Sequence, residues 1–370
     1  MKKKTLHIVS FDNPYPANYG GVIDVFYKLQ CFKELNFEII LHIYSEELKS
    51  SKVLNELCNT IYYYKRKKQW YKHLSLNPFV VVSRFDSLII NNLNKDNHPI
   101  LFEGLHTSLP IFNKHLNNRK FYLRAHNIEH NYYKGLAKSE TKLLKKVILS
   151  IESIKLKLYE KKVFNKINTV LPISNYEFSY FKKAYDVETV LLPVFHKNIK
   201  VINLNPIGNY ALYQGDLRVS DNKRVVSRLI KMFNDINFTL LIASNVSEKK
   251  FNKLFPKRSI NIKYEKIIND EHLDLLFEGA HVNTIFSYQN SGTKLKLINA
   301  LYNSRFCLIN DNMIDENSIK KICNVENDLL KYKKEIKTLI LKDFKLTDER
   351  ISVLQNYIVE NKLILQKTFN

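Results

Sequence analysis

The stretch LHIVSFDNPYPANYGGVIDVFYKLQCFKELNFEIILHIY, residues 6–44, decides the fold. Leu6–Ser10 is a short apolar run. Phe11–Gly21 carries prolines and ends in a glycine pair, so it reads as a loop. From there apolar residues fall at Val22, Val25, Phe26, Leu29 and Phe32, the spacing of one helical face. Phe37–Tyr44 is apolar and β-branched again. Strand, loop, helix, strand is a βαβ opening, and repeated units of that kind build a parallel sheet.

The rhythm continues outward. Strands are expected at Pro99–Phe102, Phe121–Leu123, Thr169–Ile173 and Thr189–Leu192, with helical patterns between several of them. Residues 193–208 (PVFHKNIKVINLNPIG) lose the periodicity and hold two prolines, which reads as a linker. The rhythm then restarts. Strands are expected at Tyr210–Tyr213, Phe238–Ile242, Asn261–Tyr264, Val282–Phe286 and Phe306–Ile309. Helices are expected at Arg224–Phe233, Glu271–Phe277 and Lys294–Asn303. The expected fold is α/β, with two Rossmann-like domains of parallel strands over residues 1–195 and 209–345, joined by 196–208. A final helical segment, Asp348–Gln366 within residues 346–370, has no strand after it and is expected to pack back across the linker.

A length of 370 residues suits two domains. The hydrophobic fraction of 45% is that of a folded chain, not a disordered one. Only 8 glycines occur, so each loop glycine carries information. The net charge of +22 has two readings: attraction to an anionic partner, or a lysine-rich composition with the lysines spread along the chain. The run Lys65–Lys68, beside Tyr62–Tyr64 and Trp70, has no nucleic-acid-binding motif around it, and a solvated loop is expected with no nucleic-acid partner. Cys31, Cys58, Cys307 and Cys323 are widely spaced and form no zinc pattern; reduced thiols in the cytoplasm fit them. No stretch reaches the about 18 apolar residues a membrane span needs. Leu143–Tyr159 is basic and amphipathic, with apolar residues at Leu144, Val147, Ile151, Ile154 and Leu158. It reads either as a helix packed on its own domain or as a peripheral contact with the inner membrane face.

Three constellations carry chemistry. Tyr19-Gly20-Gly21-Val22 sits between the first strand and helix, where glycine lets a ligand approach backbone amides at a helix start. It lacks the third glycine of a dinucleotide fingerprint. Ser291-Gly292-Thr293 precedes a helix carrying Lys294 and Lys296. Two lysines oppose the helix dipole at its start, a cost of about 0.5 kcal/mol that a bound diphosphate would reverse. Arg124-Ala-His126-Asn127-Ile-Glu129 follows an apolar strand, and Glu103-Gly104-Leu105-His106 follows another. Residues just past the carboxyl ends of parallel strands face the ligand crevice.

On these residues the chain resembles GT-B glycosyltransferases of the retaining family 4 type (glycosyl transferases group 1), in the bacterial branch that builds surface polysaccharides. Asn13–Pro16 with Tyr19–Gly21 resembles the family's N-terminal glycine loop, and Arg124–Asn127 its histidine after a strand. Ile173-Ser174 with Glu177 resembles its serine signature, and Tyr213–Gly215 with Asn222 the opening of its donor domain. Ser291–Leu301 resembles its Glu-x7-Glu region. The resemblance implies two facing domains and transfer of a sugar from a nucleotide-sugar donor to a glycan or lipid-linked acceptor. It implies retention and no cofactor or metal, the nucleotide-sugar being a co-substrate. His126 would be the catalytic residue. Gly20, Gly21, Gly215, Ser291, Gly292, Thr293, Lys294, Lys296 and Asn299 would bind the donor. Asn18, His106, Arg124, Asn127 and Glu129 would bind the acceptor.

The chain departs from the pattern in four places. Ser291 and Asn299 replace the usual glutamates, and Asp216 and Asn222 stand where the diphosphate-binding Arg and Lys usually stand. Lys294 and Lys296 are therefore expected to hold the diphosphate. Two rivals remain: a nucleotide- or sugar-binding protein that has lost catalysis, and a nucleotide-sugar epimerase of the same shape.

Overall fold

The computed structural model describes residues 4–288 and 295–370. The chain divides into two compact units, residues 1–197 with 361–370, and residues 198–360.

The first unit contains β1 (Thr5–Ser10), α1 (Gly20–Glu34), β2 (Glu38–Ser45), β3 (Thr60–Lys65), β4 (Ile100–Glu103) and β5 (Phe121–Ala125). Helices α2 (Glu129–Ser139) and α3 (Leu143–Phe164) follow, then β6 (Thr169–Pro172), α4 (Asn175–Ala184) and β7 (Glu188–Thr189). The strands are all parallel, in the order β3-β2-β1-β4-β5-β6-β7. Side chains alternate across the sheet. Ile8 and Leu41 join Val25, Leu29 and Phe32 of α1, with Leu365 and Phe369 from the end of the chain. Val9, Phe102 and Leu123 join Leu156, Tyr159 and Val163 of α3. Both faces of the sheet are covered, which is why its strands are apolar without a polar side.

The second unit contains β8 (Tyr210–Gln214), α5 (Ser220–Phe233), β9 (Leu240–Ser244), α6 (Glu248–Leu254), β10 (Ile262–Lys266) and α7 (Asp270–Gly279). It continues with β11 (Ala280–Ile285), α8 (Leu295–Asn303), β12 (Phe306–Ile309), β13 (Asn324–Val325) and α9 (Leu329–Ile340). Its parallel sheet runs β10-β9-β8-β11-β12-β13. Helix α10 (Asp348–Phe369) contributes Leu354 and Tyr357 to this unit's core. Arg350 on α10 closes the end of α8: its guanidinium donates to the carbonyls of Leu301 (2.9 Å), Ser304 (2.8 Å) and Arg305 (2.7 Å). The Leu301 carbonyl, in the last turn of α8, has no partner within that helix, and those of Ser304 and Arg305 lie just past its end.

Each sheet reverses direction once, between β1 and β4 and between β8 and β11. In doubly wound sheets that reversal opens a crevice at the carboxyl ends of the strands.

The lysine run lies mostly in the expected loop, with Arg66–Lys68 following β3, an edge strand that takes in Tyr62–Lys65 and buries Tyr64. Two expectations are corrected. The strand expected over Thr189–Leu192 is regular only at Glu188–Thr189, although the amides of Val190 and Leu192 still bond to the carbonyls of Val170 and Pro172. The stripe on residues 143–159 does not pack on its own domain. Leu144, Val147, Ile151, Ile154 and Leu158 are exposed, and α3 buries Glu152, Ser153, Leu156, Tyr159, Glu160, Val163 and Phe164 instead.

Gly208 lies where the chain crosses the start of β11. A Cβ there would stand 2.6 Å from the His281 amide nitrogen and 2.7 Å from the Ala280 carbonyl carbon, both backbone atoms that cannot swing aside. Gly208→Ala is expected to cost about 1–3 kcal/mol, the usual cost of overpacking, read as a lower denaturant midpoint at unchanged slope.

Candidate active site

In the first unit a buried polar network lies at the reversal point. Asp24, on the inner face of α1, is fully buried. Its Oδ2 accepts from Lys28 Nζ (3.0 Å), Arg124 Nε (2.9 Å) and His126 Nε2 (3.0 Å). Its Oδ1 accepts from an Arg124 terminal nitrogen (2.8 Å) and the amide of Phe195 (2.8 Å). Lys28 also donates to Glu103 Oε2 at 3.0 Å. Burial alone would raise the Asp24 pKa; Arg124, Lys28 and the His126 bond overcome it and hold the carboxyl well below the usual range. Asp24 and Lys28 went unnoticed in the sequence. The signal was there: two opposite charges four residues apart on the same apolar face as Val25 and Leu29.

Arg124 is corrected. It was expected to touch an acceptor, but its side chain is fully buried. Every donor it has is directed inward, to Asp24 and to the carbonyls of Leu171, Leu192 and Pro193. It braces the site and does not line it.

His126, with 13% of its side chain exposed, sits at the end of β5 with Nε2 fixed on Asp24. Phe11 lies between it and His106, with ring centroids 5.8 and 5.7 Å away. A Cβ on Gly21 would stand 2.6 Å from the Phe11 ring, so glycine lets α1 begin this close to the cluster. Gly20 is the first residue of α1, and no side chain caps that helix start. Gly21, His106 and His126 are therefore brought together. Asn18 lies in the exposed loop before them, its amide bonded to the Pro16 carbonyl.

Gly104 has φ +78°, and a Cβ there would meet His106 Nδ1 at 2.9 Å. Only glycine lets the chain turn back so that His106 folds over the end of β4. Burial, reinforced by Arg84, His126 and Arg66, pushes the His106 pKa well below its usual value, so its ring is neutral at pH 7. Glu129, the first residue of α2, approaches His106 Nε2 at 3.6 Å. Burial, with Glu160 nearby, pushes the Glu129 carboxyl up to about 8; the bond from Asn127 opposes the shift. Arg84 is another residue that sequence reasoning missed. It is buried, donates to the Phe11 carbonyl at 2.7 Å, and has its pKa lowered to about 10 by burial and by Arg66.

Asp24, Glu103 and His126 place one ligand atom each within 4.8 Å of one another, the spacing of a metal site. Lys28 and Arg124 already match the two carboxylates, so the set suits a charge-balanced brace better than a divalent ion.

In the second unit Tyr213 forms the floor of the reversal point. Lys296 Nζ lies 5.2 Å from its ring centroid. A Cβ on Gly215 would meet its hydroxyl at 2.9 Å, and Asn222 Oδ1 accepts from that hydroxyl at 3.1 Å. Gly215 and Lys296 thus share one place. Asp216 is held by Arg218 Nε at 2.9 Å. Arg224 and Arg228 on α5 stack toward Tyr288, 3.9 and 5.3 Å from its centroid, and were not singled out in the sequence. Asn299 Oδ1 accepts from Asn198 Nδ2 at 2.8 Å, which ties α8 to the segment before β8. Ser291, Gly292, Thr293 and Lys294 lie outside the described residues.

No family model matches the chain. A curated relative from Klebsiella pneumoniae, described as an uncharacterized 44.6 kDa protein in the cps region, is 28% identical over 326 residues, 81% of each chain. Among solved structures, an E. coli trehalose-6-phosphate protein bound with UDP-2-fluoro glucose superposes with a TM-score of 0.67 at 10% identity, over 99% of this chain and 98% of that one. A mutant of S. aureus TarM, in complex with fondaparinux, α-GlcNAc-glycerol and UDP, gives 0.62 at 12% identity, over 100% and 97%. The pneumococcal O-GlcNAc transferase GtfA, in complex with UDP and GlcNAc, gives 0.58 at 10% identity, over 100% and 97%. The chain has the GT-B fold of these glycosyltransferases.

The Glu129 pKa is raised on folding, so its protonated form stabilises the protein at low pH and that contribution is lost as pH rises toward about 8. Glu129→Gln should remove this dependence. Its melting temperature relative to wild type is expected to climb between about pH 4.5 and 8, by a free energy of at most about 5 kcal/mol. Parallel melting curves over that range would refute the buried neutral carboxyl.

Proposed function

We propose that the chain is a glycosyltransferase that moves a sugar from a nucleotide-sugar to a glycan or lipid-linked acceptor in surface polysaccharide synthesis. The observation that carries this reading is His126, fixed on buried Asp24 beside the Gly20–Gly21 helix start at the reversal point of the first sheet. The GT-B fold and the cps-region relative support it. Free thiols at all four cysteines suit work in the cytoplasm.

The Asp24 carboxylate selects the His126 tautomer with the proton on Nε2, and Nδ1 is then the atom that accepts from a sugar hydroxyl. As the bond from sugar to diphosphate breaks, negative charge grows on the leaving phosphates. Lys296, poised over Tyr213, supplies a preorganised cation for that charge, and Gly215 lets the backbone approach it. Asn299, with Oδ1 already bonded, would read a ribose hydroxyl through Nδ2. The transfer in this reading is metal-independent and retains the anomeric configuration.

A second reading is a nucleotide-binding protein without turnover. The Asp216–Arg218 pair favours it, because an acid and its private counter-ion occupy a position where related enzymes present a free cation.

Lys296→Ala is expected to weaken donor binding at least about tenfold, the loss of one charge-assisted bond. A thermal-shift panel of UDP-, GDP-, ADP- and CMP-sugars reads it; unchanged affinity removes Lys296 from the site. His126→Ala should lower kcat about a hundredfold at nearly unchanged donor affinity, measured by release of nucleoside diphosphate. Donor binding without release by the wild type selects the second reading.

A further inference from the structure

The apolar stripe of α3 is a surface without a function in the chemistry above. Leu144, Val147, Ile151, Ile154 and Leu158 alternate in steps of three and four, so they form one row along the helix. Their exposures include 76% for Leu144, 63% for Ile154 and 60% for Leu158. Leu143 and Ile148 widen the row at its N-terminal end and are exposed as well. Beside the helix runs the turn Trp70–Leu74, with Trp70 75% exposed, Leu74 equally open and Leu76 almost fully so. Two bonds fasten that segment to α3: Lys155 Nζ donates to the His73 carbonyl at 2.6 Å, and Glu152 Oε2 accepts from the Phe79 amide at 2.6 Å.

The charges decide what covers this face. α3 has two acids, Glu152 and Glu160, and both are buried. The charged side chains it shows to solvent are lysines: Lys145, Lys146, Lys157, Lys161 and Lys162. By helical position Lys157 flanks the row on one edge, Lys162 flanks the other, and Lys161 continues it. A second copy of the chain fits poorly. The three-and-four spacing is that of a coiled-coil seam, but a self-paired seam would set lysines against lysines with no exposed acid on α3 to answer them. An anionic lipid surface answers both features, taking the apolar row into the acyl boundary and the lysines among its phosphates. No helix among the described residues is long and apolar enough to cross a membrane, so the contact lies in the plane of the interface.

We propose that α3 and the Trp70 turn form a docking face for an anionic phospholipid membrane. Trp70 is the only tryptophan in the chain, and tryptophan favours the headgroup level. Its emission therefore reports the contact directly. The full-length protein should show a blue shift and co-float with vesicles of equimolar phosphatidylglycerol and phosphatidylcholine, with far weaker partition on phosphatidylcholine alone. The combined variant Leu144→Ser, Ile151→Ser, Ile154→Ser, Leu158→Ser should lose flotation at an unchanged melting temperature, because none of those side chains is in the core. The variant Lys157→Glu, Lys161→Glu, Lys162→Glu should weaken binding by at least about fivefold per charge on anionic vesicles. The readout needs neither donor nor acceptor, so it stands or falls separately from sugar transfer. A folded wild type that ignores anionic vesicles overturns the proposal, as does equal binding to neutral ones. Conversion of a wild-type dimer to a monomer by the four serines also overturns it and assigns the face to a second copy.

Discussion

The carboxylate of Asp24 is the constraint on which the first unit depends. Five donors from four parts of the chain converge on its two oxygens: Lys28 on its own helix, Arg124 from β5, His126 just beyond β5, and the amide of Phe195. A bare carboxylate costs several kcal/mol to bury, and so does each bare cation. The set is tolerable only when complete, so the network is all-or-none. That property places α1 against the sheet and anchors the chain at Leu192–Phe195, where Arg124 also holds carbonyls. It also orients His126, whose ring would otherwise rotate at the mouth of the crevice.

The second unit solves the same topological problem with different chemistry. Its reversal point has an aromatic floor, Tyr213, with a glycine on one side and a lysine above. Beside it the Asp216–Arg218 ion pair is partly exposed, with Arg218 two-thirds open, unlike the fully buried set around Asp24.

Much of the fold was legible because parallel strands covered on both faces are continuous apolar runs, and β1, β2, β8 and β12 read as such. The exceptions have physical causes. β3 is an edge strand whose Tyr62 and Tyr63 are only partly buried, so its pattern merges with the lysines after it. β7 and β13 are two residues long and leave no period to detect. Of the residues singled out for the site, Gly21, His106 and His126 do come together past strand ends and at a helix start, and Lys296 lies over Tyr213. Asp24, Lys28 and Arg84 were not singled out, because a sequence shows that a residue is charged but not that several such residues will neutralise one another in the core. Arg124 was misread for the same reason.

Helix α3 carries that lesson furthest. Its period is plain in the sequence, and the period identifies two faces without saying which is inside. Hydrophobicity alone would bury the leucine and isoleucine row. The structure buries the other face because its polar groups have specific partners: Glu160 accepts from the hydroxyls of Tyr180 and Tyr185, each at 2.7 Å, and Ser153 donates to the His130 carbonyl at 2.8 Å. Leu156, Tyr159 and Val163 on that side fill the space beneath the sheet. A helix has one surface to give to its own core. Once satisfied polar groups and three well-placed core residues claim it, the apolar row is left on the outside with lysines around it.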